Sequence, residues 1–482
     1  MCIRSFRGFS TESENTMSSK LVTLVATVAL FAVGSLAFGD EFQFPSSVRA
    51  DRISDVENRL DQLETRIQRL PGTLQTRFDG DKHAASSGDF DDSDCDCGGG
   101  CNSSGCSECG TCFVWSENTW LKVGGGLRTS FNTVDDGAPN GSSWSNNFNV
   151  DNLRIYLSGQ GHEYIKFEFN TDINNAQGFQ DSTYPTSGSY DEAGNIRILD
   201  AIAKFEFNDL FNVWVGRMLP PSDRSNLDGP FFLNAWDFPF VQFGYPNIFQ
   251  GRDDGAAFWG QLGGGVIKYQ VGAFEGVNGA IAGSTETLPV LGANPGDDLM
   301  FSARVTLNLL DPEPGYYNQS TYYGEKDILA VGFAIMDQNN ANLDGASITD
   351  FTGWSIDGLY EQVLGNLGVA TVEGAYYDFD DHGATNSVRD GQSYFVMASY
   401  LCPDEICIGP ISGRLQPFSR YQSYDRTNVM VGGVGSLVRQ TDVGVNYVMY
   451  GHNARVAAFW AEQEFEGGIE NDLFRIGVQL QF

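Results

Sequence analysis

The sequence predicts an all-β fold, a sixteen-stranded antiparallel transmembrane β-barrel, on three observations. Segments of about ten residues alternate apolar and polar side chains, which is the period of a strand with two different faces. The connections between these segments alternate between short and long. The chain also ends on an aromatic residue that completes an alternating strand: Phe474, Ile476, Val478, Leu480 and Phe482.

Composition excludes several other classes of protein. The 482 residues include 29 Lys and Arg against 62 Asp and Glu, a formal net charge of −33. This charge argues against nucleic acid as a partner, because phosphate binding needs a cationic face. The chain is 41% hydrophobic and 13% aromatic, which is too rich for a disordered protein. Only one apolar run approaches the roughly 20 residues of a membrane helix, so a helical membrane bundle is also excluded.

That apolar run, residues 21–38, predicts a secretory signal over residues 1–39. Lys20 precedes it, and small residues flank the proposed cleavage site. Met17 is a candidate true start, because the residues before it are unusually polar for a signal. The alternative is an uncleaved anchor helix. Either interpretation places the rest of the chain in an oxidising compartment.

Residues 40–79 are predicted to be a periplasmic segment with a short coiled coil at 51–71. Its apolar positions repeat at spacings of three and four, which is an a/d heptad seam: Ile53, Val56, Leu60, Leu63, Ile67 and Leu70. Self-association of copies is favoured over packing of this helix on its own domain. No other apolar helical surface is evident in the neighbouring sequence.

Residues 80–114 are predicted to be a Cys-rich linker. Its six cysteines are Cys95, Cys97, Cys101, Cys106, Cys109 and Cys112. Disulfides are the default in an exported protein, although the spacing could also seat a thiolate metal site, and six cysteines allow fifteen pairings. Cys402 and Cys407 enclose four residues and predict a local disulfide.

The barrel is predicted over residues 115–482, with both chain ends on the periplasmic side. The predicted strands are 120–134, 148–160, 163–172, 196–208, 210–218, 252–262, 265–275, 299–310, 326–337, 353–363, 367–379, 391–402, 410–424, 435–451, 453–465 and 470–482. The predicted long connections on the other side are 173–195, 219–251, 276–298 and 338–352. One connection, 311–325, is long on the side where the others are short.

Successive side chains of a strand point to opposite faces, so the position of a residue in the strand, its strand parity, predicts its face. Strand parity places ten basic side chains on the polar face, which would line the lumen: Lys122, Arg128, Arg154, Lys166, Lys204, Lys268, Arg304, Arg414, Arg420 and Arg475. A cation on the lipid face costs roughly 2–4 kcal/mol near the midplane, so exclusion from lipid is the simplest cause of this pattern. Carboxylates share the polar face at Glu168, Asp200, Glu206, Asp357 and Glu361. The predicted lumen therefore carries charges of both signs, and basic side chains are somewhat more numerous than carboxylates on these strands.

The connection 219–251 is too rich in apolar and aromatic residues for a solvated surface loop. We expect it to fold into the barrel and to form the constriction of a pore. Its candidate charged residues are Asp223, Arg224, Asp228 and Asp237. A trimer contact or a cap over the barrel mouth is the alternative.

The layout from about residue 115 to the end resembles the phosphate-selective porins O and P. The best local match is Asp200-Ala-Ile-Ala-Lys-Phe-Glu-Phe-Asn208, followed by Val213-Trp-Val-Gly-Arg217 and Pro221. The segment Thr441-Asp-Val-Gly-Val-Asn-Tyr447 and the last strand are also similar to this family, and the terminal Phe resembles the assembly signal of bacterial outer-membrane proteins.

This resemblance implies a homotrimer of sixteen-stranded barrels with an inward third loop. It also implies anion uptake by lumen arginines and constriction lysines. The chain differs from that pattern at Leu219, where a lysine is typical, and it has no lysine in 219–251.

The predicted function is passive diffusion of small hydrophilic solutes or ions, anions such as phosphate among them, through the bacterial outer membrane, without a cofactor or a resident metal. The partners would be outer-membrane lipid and two further copies of the chain. The alternative is a structural protein that anchors the outer membrane with a plugged barrel. A secreted enzyme is disfavoured, because no nucleophile motif is present and the histidines are scattered: His83, His162, His382 and His452.

Overall fold

The computed structural model shows a closed antiparallel barrel of sixteen strands, which confirms the predicted fold class. The structure describes residues 112–116, 118–173, 196–239, 251–277, 294, 296–344, 347–382, 390–426, 437–466 and 468–482. The predicted signal, the coiled coil and the first five linker cysteines lie outside the described residues.

Eighteen strands are present in this part of the chain, and sixteen of them form the barrel wall. They are β1 (Cys112–Ser116), β2 (Thr119–Val134), β3 (Asn147–His162), β4 (Ile165–Ile173), β5 (Ile196–Asn208), β6 (Phe211–Met218), β7 (Asp253–Leu262), β8 (Ile267–Phe274), β9 (Met300–Asn308), β10 (Ile328–Asp344), β11 (Ser347–Val363), β12 (Val369–Asp380), β13 (Gly391–Leu401), β14 (Glu405–Ile408), β15 (Ile411–Arg426), β16 (Leu437–Tyr450), β17 (Ala454–Phe465) and β18 (Ile469–Gln481). One short helix, α1 (Arg224–Asp228), lies between β6 and β7.

The last strand closes the barrel by pairing with β2, from Leu473 opposite Val134 to Gln481 opposite Gly126. The terminal Phe482 extends this ladder, since its backbone N–H donates to Gly125 at 3.0 Å. β1 and β14 are accessory strands at the rim, where β1 pairs with the start of β2 and β14 with the start of β15. Every other neighbouring pair is consecutive in sequence, apart from β13 with β15 across the β14 hairpin.

Side chains alternate between an exposed apolar outer face and a buried inner face. On β9, Phe301 and Val305 are 60% and 53% exposed, whereas Ser302 and Arg304 between them are each 2% exposed. An apolar outer surface around a closed barrel is the arrangement that suits a lipid bilayer. No helix among the described residues is long and apolar enough to cross a membrane.

The prediction of a long connection at 338–352 is wrong. β10 continues to Asp344 and β11 begins at Ser347, so the two strands form a long hairpin with a bulge between Gln338 and Asn342. The sequence here is rich in polar residues, and ladder hydrogen bonds hold these polar strands together. The Thr352 hydroxyl supports the hairpin by donating to Asp337 at 2.9 Å.

The predicted Cys402–Cys407 disulfide is also absent, because both thiols are free. The backbone N–H of Cys402 donates to Leu415, whereas Cys407 lies opposite Ser412. These two partners are three residues apart on β15, about 10 Å along a strand. That separation exceeds the roughly 7 Å that a disulfide can span between Cα atoms.

Candidate functional site

The connection after β6 enters the barrel and fills much of its interior. Every residue from Met218 to Trp236 is buried. Pro220 and Pro221 end the strand because proline cannot continue the ladder. The Asp223 carboxylate caps α1 by accepting from the Ser225 backbone N–H at 3.0 Å. We call residues 219–239 the first inner segment.

The first half of this segment contacts strands β9, β11 and β12. Arg304 of β9 donates to the Ser222 carbonyl at 2.9 Å. Asp357 of β11 accepts from the Arg224 backbone N–H at 3.2 Å. The Tyr377 hydroxyl of β12 donates to the Asp223 carboxylate at 2.6 Å.

The second half contacts four arginines on β2, β15, β17 and β18, which we call the basic wall. Arg128 donates to the Trp236 carbonyl, Arg420 to the Asp237 carbonyl at 2.6 Å, Arg455 to the Leu233 carbonyl at 2.6 Å, and Arg475 to the Asp237 carboxylate at 2.5 Å. The segment thus crosses the interior from one part of the wall to another. Backbone carbonyls are its main ligands for these guanidinium groups.

Two wall glycines make room for aromatic rings of the same segment. A Cβ at Gly126 would lie 2.6 Å from the Phe231 ring, and one at Gly477 would lie 2.6 Å from the Trp236 ring. Real Cβ atoms do not approach other atoms so closely, so any larger residue would force these rings to move. The strand glycines are therefore part of the inner packing.

The connection from β9 to β10 also enters the barrel, from the rim of short turns. We call residues 311–325 the second inner segment. Its Glu313 pairs with Arg224 of the first segment through two hydrogen bonds of 2.8 and 2.5 Å. Its Tyr316 hydroxyl donates to the Leu219 carbonyl at 2.9 Å. The two segments therefore meet inside the barrel.

Lys268 and an aromatic cluster hold the second segment against the wall. The Lys268 ammonium donates to the Tyr317 carbonyl at 3.0 Å and to Asn318 Oδ1 at 2.8 Å. Trp214 stacks on Tyr316 with ring centroids 4.6 Å apart. The length of this connection and its tyrosine pairs were the only sequence signals that could have revealed it.

The Arg224–Glu313 ion pair stabilises the ionised Glu313 carboxylate at a place from which water is excluded. Burial by itself would raise the pKa of the Glu313 carboxyl, but the Arg224 guanidinium, the Lys268 ammonium and the Tyr322 hydroxyl together outweigh burial and lower that pKa to about 2. Both side chains are 1% exposed. Breaking such a pair leaves an uncompensated buried charge, which is costly.

The structure buries seven of the ten predicted lumen cations and gives each a partner. The pairs are Arg128 with Asn152, Arg154 with Asp172, Lys204 with Glu168, Lys268 with Asn318, Arg304 with Asp357, Arg420 with Asp442 and Arg475 with Asp237. The other three, Lys122, Lys166 and Arg414, are partly exposed, and Lys166 pairs with Glu206 at 2.7 Å. Most of these cations therefore form ion pairs with carboxylates or hydrogen bonds with groups of the inner segments.

Buried carboxylates outnumber buried cations in the part of the chain that is described, thirteen to ten. The acids missed by strand parity include Glu373, which accepts from the Ser320 hydroxyl at 3.2 Å, and Asp442, the partner of Arg420. Glu361, which was predicted, accepts from Thr321 and Thr371 at 2.7 and 2.9 Å.

The four candidate constriction residues lie on the first inner segment. Asp223, Arg224 and Asp228 are buried, and Asp237 is half-buried. Asp228 accepts from the Ser320 hydroxyl of the second segment. That these residues constrict a conducting pore remains a prediction.

Residues 121–229 match the family of phosphate-selective porins O and P. This confirms the resemblance predicted from the sequence. The match begins in β2 and ends at the close of α1, so it includes the strand that carries Arg217 and the first half of the first inner segment. No curated protein matches the chain in sequence.

Solved porin structures are similar to this chain at low sequence identity. Pseudomonas putida OprB in its high-pH structure is 9% identical, with a TM-score of 0.51 over 75% of this chain and 94% of that one. OmpT of Vibrio cholerae is 10% identical, with a TM-score of 0.44 over 77% and 99%. Salmonella typhi OmpF is 12% identical, with a TM-score of 0.47 over 77% and 99%. Of these three likenesses, the one to OprB is strong enough to show the fold, which is that of a porin barrel.

Proposed function

We propose that the protein is an outer-membrane porin that lets small hydrophilic solutes diffuse along a narrow path controlled by the two inner segments. This proposal rests mainly on one observation, which is that most residues of both segments are buried inside a barrel whose outer face is apolar. The family match over residues 121–229 supports a porin. We further propose that the protein forms homotrimers, with residues 40–79 in the periplasm.

Anions are the favoured solutes in this proposal, and the basic wall is the reason. Its arginines lie on one side of the barrel, on β15, β17, β18 and β2, with β16 between the first two of these strands. Arg455 donates to backbone carbonyls and to Gln479. A passing anion could take the place of those carbonyls, because guanidinium groups bind anions more strongly than neutral acceptors. The excess of buried carboxylates elsewhere argues for a modest preference.

The reversal potential in a salt gradient across a planar bilayer tests this selectivity. We expect the native protein to prefer anions, and Arg455→Gln to lower that preference. Arg217→Gln is the matched control, because Arg217 lies on the outer face in an ion pair with Asp254 at 2.7 Å and should not alter selectivity. A strong cation preference of the native protein would contradict the anion proposal.

A structural anchor with a plugged barrel is the second candidate function. It is favoured by the filled interior, in which an apolar cluster includes Trp214, Trp236, Tyr316, Phe351 and Phe459. The two functions differ in one measurable property. A plugged anchor gives near-zero conductance in planar bilayers at every voltage, whereas a porin gives discrete conductance steps.

A further inference from the structure

His452 lies where the two inner segments come closest to the turn between β16 and β17. Its Nδ1 is 3.2 Å from the Phe231 carbonyl of the first segment. Its Nε2 is 2.9 Å from the Thr321 carbonyl of the second segment. One imidazole therefore bridges chain segments that enter the barrel from opposite rims.

Carbonyl oxygens only accept hydrogen bonds, so both imidazole nitrogens must donate for both contacts to be favourable. A neutral imidazole has one N–H and one lone pair, and it can satisfy only one of the two carbonyls. The doubly protonated ring has two N–H groups and satisfies both. Imidazole is also the ordinary side chain that changes charge between about pH 5 and 8.

The surroundings of the ring suit a cation that exchanges protons with solvent. The rings of Phe232 and Tyr323 lie 5.0 and 4.8 Å from the imidazole, and aromatic faces attract cations. His452 itself is only partly buried, so protons can reach it from the short-turn rim. Its backbone carbonyl accepts from Gln479 at 2.6 Å, which fixes the turn.

Charged groups of both signs lie beside this bridge among the described residues. Arg455, on the strand that follows the turn, donates to the Leu233 carbonyl, and Glu361 of β11 accepts from the Thr321 hydroxyl. Tyr323 of the second segment is the neighbouring titratable group, and Phe231, Phe232 and Gln479 are neutral.

We propose that His452 is a proton-dependent clasp, which in its doubly protonated form joins the two inner segments and in its neutral form releases one of them. Acidic conditions then hold the segments together and narrow the path through the barrel. The bridge itself rests on the geometry of the turn, and its effect on permeation rests on the proposed porin function.

Hydrogen exchange of peptides from both inner segments tests the clasp without requiring a conducting pore. After correction for the intrinsic exchange rates, the native protein should exchange about tenfold more slowly at pH 5.5 than at pH 8, because one charge-assisted hydrogen bond is lost on deprotonation. His452→Gln and His452→Asn should show equal protection at both values. His162→Gln, at the end of β3 on the same rim, is the matched control and should behave as the native protein.

Conductance in planar bilayers then separates the clasp from the porin proposal. Native conductance should fall between pH 8 and pH 5.5, and His452→Gln should remove that change. Two results would overturn the clasp. One is pH-dependent exchange that survives in both His452 variants, and the other is the lack of pH-dependent exchange in the native protein. Zero conductance at every pH would instead overturn the porin function, while the exchange result still decides the clasp.

Discussion

Arg304 of β9 and Asp357 of β11 form a buried ion pair across the strand that separates them. Nη2 of Arg304 lies 2.8 Å from Oδ1 of Asp357, and the two side chains are 1% and 2% exposed. Between them β10 carries Gly332, whose missing side chain leaves the space that the pair occupies. The same pair binds Ser222 and Arg224, so it anchors the entry of the first inner segment.

Gly332→Ala should break this anchor, because the new methyl group would overlap the Arg304 guanidinium. Separating a buried ion pair costs on the order of 3 kcal/mol, so the unfolding temperature should fall measurably. Gly161→Ala is the matched control, since a Cβ there meets nothing within 4 Å. Equal unfolding temperatures for the two variants would show that the pair does not anchor the segment.

Gly477→Val should displace Trp236 from its place against β18. Overpacking of a filled interior costs about 1–3 kcal/mol, and the segment can relieve it by moving away from the wall. Tryptophan fluorescence should shift to longer wavelength as Trp236 gains water contact, with Gly161→Val unchanged. An unshifted spectrum for Gly477→Val would mean that Trp236 does not lie over Gly477.

The sequence predicted the wall of the barrel better than its contents. Alternation is a local property with a fixed period, so predicted strand 196–208 coincides with β5 and most other boundaries fall within a few residues. The aromatic content of 219–251 also predicted the burial that the structure shows for residues 219–236. Both inferences needed only neighbouring residues.

Contacts between distant residues could not be predicted in the same way. The Arg224–Glu313 pair joins residues 89 positions apart, and His452 meets Phe231 across 221 positions. Strand parity placed Arg154 and Arg304 inside correctly but could not show that Asp172 and Asp357 neutralise them. The role of an inward cation depends on what fills the barrel, which no local pattern contains.

Acidification should weaken the Arg224–Glu313 pair only well below neutral pH. The pKa of Glu313 is lowered to about 2, so its stabilising effect is complete above the ordinary glutamate value of about 4.3 and is lost as the pH falls toward about 2. At neutral pH the effect is roughly 3 kcal/mol.

The measurement for this pair is the unfolding temperature of the native protein and of Glu313→Gln between pH 7 and pH 2. The native protein should be the more stable at pH 5 to 7, and the difference should vanish toward pH 2. Glu325→Gln, an exposed carboxylate of the same segment, is the control. A difference that stays constant with pH would show that Glu313 carries no stabilising charge.

Cys402 and Cys407 should both react with a maleimide in the folded protein, the exposed Cys407 faster. The double variant Cys402→Ser and Cys407→Ser should leave the unfolding temperature unchanged, because no covalent bond is removed. Peptide mass spectrometry under non-reducing conditions gives the pairing directly. A Cys402–Cys407 crosslinked peptide would contradict the free thiols.

Single-channel conductance tests most directly whether the two inner segments control the path through the barrel. The comparison is between the native protein and a variant whose residues 230–239 are replaced by a Gly-Ser segment of equal length. This replacement removes the aromatic rings that pack on the wall and the Asp237 carboxylate that pairs with Arg475. We expect small, discrete native steps and a several-fold larger conductance with stronger anion preference in the variant. Equal conductance and equal reversal potential for the two proteins would contradict this account.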